Sequence, residues 1–199
     1  SFLKKNCIMI KYVVSLVILA VSFTANAQTN KAGSLTFWEN LKKHCGKSYQ
    51  GDIVAGAKEG DGFTGQKLVM HVKSCEENRI RIPFNVGDDL SRTWILTLDE
   101  KNLIQLKHDH RHQDGSEDQV TQYGGKASNT GFENLQMFPA DQYTSNLIGY
   151  ASGNVWWITL DNKKFTYNLR RVGTDRIFSV SFNLEKPVET PSSPWGWKD

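Results

Sequence analysis

No apolar run in this chain reaches the roughly 20 residues that a membrane-spanning helix needs; Tyr12–Phe23 is too short to be one. A surplus of charge is missing as well. The formal net charge of +3 belongs to residues 1–27, where Lys4, Lys5 and Lys11 stand without an acid, and the remaining 21 Lys and Arg equal the 21 Asp and Glu. That balance removes the usual electrostatic argument for nucleic acid or an anionic membrane surface. Cysteine is scarce, with only Cys45 and Cys75 after Cys7. There is no Gly-x-Ser-x-Gly elbow to activate a serine, and no internal repeat. Glu59-Gly-Asp61-Gly and Asp88-Asp89 lack the carboxylate spacing of a calcium loop and read as solvated turns. Five of the six tryptophans and most Phe and Tyr residues fall on expected core faces or in the C-terminal tail, with no base-stacking platform.

What is present begins with a leader. Lys11, the apolar stretch Tyr12–Phe23 and Ala25-Asn-Ala27 have the order of a basic region, an apolar region and a small-x-small cleavage site, so residues 1–27 are expected to be a signal peptide cut after Ala27. Met9-Ile-Lys would itself make an ordinary start, which would leave residues 1–8 as upstream sequence. Export to the periplasm or the outside is therefore expected, with no membrane span after cleavage. In that oxidising compartment the pair Cys45 and Cys75 is expected to form a disulfide, two free buried thiols being the alternative.

Residues 28–186 are expected to form one domain. Thr36-x-x-Glu39 is a capping box, and Leu35, Trp38 and Leu41 share a face, so a short helix is expected from Phe37 to Cys45, ended by Gly46. Strand character follows at 49–57, 67–73, 79–86, 93–99, 103–113, 117–123, 154–160, 164–170 and 176–184, with a helix or turn within 139–148. Pro83 cannot donate to a ladder and is expected at an edge or a bulge. Tight turns between eight or nine strands point to a mainly β fold, an antiparallel β-barrel with a short N-terminal helix. The opening Trp38-Glu-Asn-Leu41, Gly46 and Tyr49-Gln-Gly51 resembles the calycin (lipocalin-like) pattern of a short helix leading into a glycine-bent first strand. Pro187–Asp199, rich in Pro and Ser and carrying Trp195 and Trp197, reads as an extended tail that docks on its own domain, caps an opening or binds a partner.

The strongest functional signal is Leu106-Lys-His-Asp-His-Arg-His112. On a strand, His108, His110 and His112 share one face with Ile104 and Leu106. Asp114-Gly115 suits a two-residue hairpin turn. That register sets His112 against Glu117, His110 against Gln119, His108 against Thr121 and Leu106 against Tyr123, which makes the whole row a polar ligand-binding wall. Alternate strand residues lie about 6.6–6.8 Å apart, so His110, His112 and Glu117 are a possible set for a divalent metal, whereas His108 and His112 are too distant to share one ion. The spacing His110-x-His112-x4-Glu117-x6-Gly124 is similar to the first cupin motif, although Ile104 stands where that motif has Gly and no later His follows. His110-x-His112-x-Asp114 is similar to the opening of a metallo-β-lactamase motif, with Gly115 in place of the next His. Haem is a further candidate, because imidazole can ligate it. No catalytic residue is assigned. Arg92-Thr-Trp94 and Arg170-Arg171 are candidates for stacking on aromatics such as Trp156 and Trp157.

Lys47-Ser-Tyr49-x-Gly51, Arg79-Ile-Arg-Ile-Pro-Phe84, Ser91-Arg-Thr-Trp94, Lys107-His-Asp-His-Arg-His112, Asp114-Gly-Ser-Glu-Asp118, Thr121-Gln-Tyr-Gly-Gly125 and Pro194-Trp-Gly196 are similar to a family of uncharacterised exported proteins of Gram-negative bacteria. The resemblance implies export and assigns no activity. The sequence thus leads to the expectation of a non-enzymatic, exported small-molecule-binding or envelope protein with a histidine-lined site, the alternative being a cupin-like metal-dependent enzyme.

Overall fold

The structure, a computed structural model, describes residues 31–197; the expected leader lies outside the described residues. Helix α1 (Gly33–Lys42) is followed by β1 (Ser48–Ala55), β2 (Leu68–His71), β3 (Ser74–Cys75), β4 (Arg79–Val86), β5 (Asp89–Leu98), β6 (Ile104–His110), β7 (Tyr123–Lys126) and β8 (Leu135–Pro139). Helix α2 (Gln142–Leu147) and a 3-10 turn (Gly149–Ala151) lead to β9 (Asn154–Leu160), β10 (Lys164–Arg171) and β11 (Ile177–Val188). All pairings are antiparallel, and the sheet runs β7-β6-β5-β4-β2-β1-β11-β10-β9-β8, with β3 beside β4. First and last strands pair, as in an up-and-down barrel, and the sheet is nearly closed. The described residues form eleven strands rather than the expected eight or nine; β3 and β8 lie outside the expected strand segments, and Glu117–Gln122 is not a strand.

Alternation explains the core. Ile80, Ile82, Phe84 and Val86 on β4, and Trp156, Ile158 and Leu160 on β9, point inward and are buried. Pro83 lies in an inner strand, paired with Thr93 on β5, but on its other side it stands opposite the break between β2 and β3. No ladder bond is lost there, so the cost that would confine proline to an edge does not arise. Gly51 is the bend in β1, where the register against β11 shifts; a Cβ there would come within 2.5 Å of the Phe182 ring.

Helix α1 begins earlier than its capping box suggests. Its N-cap is Ala32, with no side-chain cap bond, and the buried face is Ser34, Phe37, Trp38 and Leu41 rather than one led by Leu35. Tertiary contact overrides the local signal: Ser34 Oγ donates to the Asn102 carbonyl (2.6 Å) and Trp38 Nε1 to the Glu77 carbonyl (3.0 Å). These bonds fix α1 to the β5–β6 and β3–β4 turns, at one end of the barrel. The Cys45–Cys75 disulfide ties the segment after α1 to β3, with Cα atoms 6.2 Å apart.

The open seam lies between β7 and β8. Gly125 lets backbones meet there, since its Cβ would lie 1.8 Å from the Pro139 carbonyl oxygen, while Gly124 allows the close approach of β7 to Leu106 on β6. Asp141 caps α2 by accepting the Thr144 N–H (2.9 Å), and its own N–H donates to the Gly124 carbonyl (3.0 Å). The buried Thr144 Oγ1 accepts from the Gly124 N–H (2.7 Å). Helix α2 thus bolts the seam.

The tail is packed on the outside of the barrel rather than free. Trp195 N–H donates to the Leu90 carbonyl (3.1 Å), and the Trp197 ring lies between the Arg81 and Arg111 guanidinium groups, at 5.0 and 5.6 Å. Gly196 meets Gly115 at the tip of the β6 hairpin.

Candidate functional site

With α1 on one end, the other end of the barrel encloses a cavity of about 340 Å³. It is reached where β5 begins, β6 ends, β9 begins, β10 ends and β11 begins. Its walls come from inward rows: Arg92 and Trp94 on β5, His108 and His110 on β6, Tyr123 on β7, Asn154 and Trp156 on β9, Tyr167, Leu169 and Arg171 on β10. Arg176 and Phe178 complete the β11 side, and Phe63, Asp118, Val120 and Tyr150 reach in from loops.

The histidine hairpin differs from its expected register, for a reason visible in the turn. His112 N–H donates to the Ser116 carbonyl (2.9 Å) and Gly115 N–H to the His112 carbonyl (2.9 Å), with Gly115 at φ +87°. This is a three-residue loop in which glycine takes the left-handed position, not the two-residue Asp114-Gly115 turn. Arg111, not His112, therefore faces Glu117. The residues after Glu117 then bulge, and pairing resumes with His108 against Tyr123 and Leu106 against Gly125. His112, Glu117 and Gln119 are exposed and do not line the cavity, whereas His108, His110 and Tyr123 do. Thr121 is buried beside the wall, where its Oγ1 accepts the His110 N–H (2.8 Å). His110, His112 and Glu117 are not brought together, and no cluster of three His, Cys, Asp or Glu able to hold a metal occurs among the described residues.

His108 is 4% exposed and fully partnered. Its Nδ1 lies 3.0 Å from the Tyr123 carbonyl oxygen, which can only accept, so Nδ1 carries the proton. Nε2 must then accept from the Tyr167 hydroxyl, 2.8 Å away. Burial pushes the His108 pKa down to about 3 and raises that of Tyr167 well above its usual value. The neutral ring is stacked on Tyr123 at 4.5 Å between centroids. Neither nitrogen is available to a metal or haem without breaking one of these bonds. His110 Nε2 meets the Tyr123 hydroxyl at 3.1 Å, and its pKa is lowered by burial and then by Arg92. Burial raises the Tyr123 pKa to about 12, so that hydroxyl stays protonated.

On the outer face of the same strand, Asp109 is 1% exposed. Arg111 Nε donates to its carboxylate at 2.9 Å and Gln122 Nε2 at 2.7 Å. The Asp109–Arg111–Trp197 chain supports the histidine wall from behind.

Arg92 and Arg171 stack on aromatic rings as expected, though not on the ones named, and their place in the cavity lining beside Arg176 goes beyond that expectation. Arg92 pairs with Asp89 (2.5 Å) and lies over Phe63, while Arg171 lies over Tyr150 at 4.6 Å, so neither stacks on Trp156 or Trp157. The signal was present: each inward row, Arg92-x-Trp94, Asn154-x-Trp156 and Tyr167-x-Leu169-x-Arg171, turns polar at one end, as the histidine row does. Only the topology shows that these ends meet. No protein family, curated protein or solved structure matches this chain.

Proposed function

We propose that the protein is an exported, non-catalytic small-molecule-binding protein whose site is the cavity at the open end of the barrel. The observation that carries this reading is the lining, an aromatic interior with a few convergent polar groups in about 340 Å³, within the range of about 300–1,000 Å³ common for small-molecule sites. His108 and Tyr167 satisfy each other, so the interior keeps its shape and protonation at neutral pH, as suits a preformed site. The disulfide supports an oxidising compartment. Among the described residues, no helix is long and apolar enough to cross a membrane.

The reading is tested with N-phenyl-1-naphthylamine, a neutral dye that emits strongly in apolar surroundings. One dye per chain is expected to bind, and Leu169→Trp, which fills the half-buried β10 wall, should cut its affinity at least tenfold with the thermal midpoint retained. Dye binding that is absent, or unchanged in the filled variant, contradicts the assignment.

A further inference from the structure

The β10–β11 hairpin places two cations side by side at the cavity mouth. Arg171 N–H donates to the Arg176 carbonyl (3.0 Å), one step beyond the Arg170–Ile177 pair, and both side chains line the cavity. Like charges in directly opposed strand positions cost free energy, and here no acid compensates. Arg171 Nε donates to a neutral partner, Asn154 Oδ1 (2.9 Å), and the Arg176 guanidinium has no hydrogen bond or ion pair among the described residues. Asp175, in the same turn, pairs with neither. Asp89, outside the lining, is taken by Arg92, and Asp118, the acid among the lining residues, accepts the Val120 N–H (2.8 Å) and forms no ion pair with either arginine among the described residues. An unneutralised pair of forked donors therefore stands beside an aromatic interior.

We infer that the ligand is a compact amphiphile whose apolar body lies among Trp94, Tyr123 and Trp156 and whose anionic head is shared by Arg171 and Arg176. The inference rests on the small-molecule reading above and adds the ligand's class. Guanidinium groups suit this role because their planar donors match carboxylate, sulfate and phosphate oxygens in pairs. Binding an anion would also relieve the repulsion within the arginine pair. The Arg92–Asp89 pair is already neutral, which is why the head is assigned to the β10–β11 side.

The test is calorimetric titration with two probes of one shape, 2-naphthoate and 2-naphthylmethanol. The carboxylate is expected to bind at least tenfold more tightly than the alcohol. Arg176→Gln, at an exposed hairpin end, should bring the ratio of carboxylate to alcohol affinity close to one with the thermal midpoint retained, and Arg171→Gln should act in the same direction. Equal affinities in the unmodified protein overturn the anionic class while leaving the cavity reading intact. A preference that survives both substitutions also overturns the assignment. Binding of neither probe overturns both readings.

Discussion

Acidification from pH 6.5 to pH 4 is expected to destabilise the fold through His108. Its folded pKa is about 3, against about 6.5 for an unfolded histidine. Between those values the unfolded chain holds the extra proton, so the stabilising contribution is complete above pH 6.5 and is lost as pH falls through the window. One proton changes stability by roughly 1.4 kcal/mol per pH unit. His110, shifted in the same direction, adds to the upper part of the slope. Urea unfolding at several pH values checks this. His108→Asn should lower stability at pH 7, because the buried Tyr167 hydroxyl loses its acceptor, and should flatten the dependence between pH 6 and 4. A variant with the same slope as the unmodified protein would show that His108 is not held neutral by burial.

A larger single-site effect is expected at the seam. The Cβ of any residue replacing Gly125 would meet Pro139 oxygen at 1.8 Å and Pro139 carbon at 2.7 Å, both backbone atoms that no rotamer change can move. Gly125→Val must therefore push β7 from β8 and strain the Gly124–Thr144 bonds that lock α2 across the gap. The expected cost is on the order of 3 kcal/mol or more, the range of severe packing errors. Gly149→Ala is the control, since nothing lies within 4 Å of its Cβ position, and it should be close to neutral. Chemical denaturation of the two variants decides the point. If Gly125→Val matched Gly149→Ala, the seam would be looser than described.

Much of this fold could be read from residue order, because alternation is a local property. The inward row of β4 and the limits of β9 follow from apolar residues at every second position, and the disulfide follows from two cysteines beyond the expected leader. The failures have a common physical origin in contacts distant along the chain. Thr36 and Glu39 make a sound local cap, yet α1 starts where Ser34 can reach the β5–β6 turn. Asp114-Gly115 makes a sound two-residue turn, yet Gly115 packs against Gly196 and the hairpin closes with one more residue. A one-residue change at a turn alters every facing pair behind it, which is why His112 and Glu117 separate. The cavity lining was legible in part: His108, His110 and Tyr123 lie on its wall, whereas Arg171 and Arg176 join it only when the hairpin end is placed beside the histidine strand.

Where a ligand sits is read directly by a crystal structure of the protein saturated with 2-naphthoate. The expected result is the ring system enclosed by Trp94, Tyr123 and Trp156, with the carboxylate against Arg171 and Arg176 and the His108–Tyr167 bond unbroken. Naphthoate bound only outside the barrel, or a cavity closed by side chains from its own walls, would contradict it.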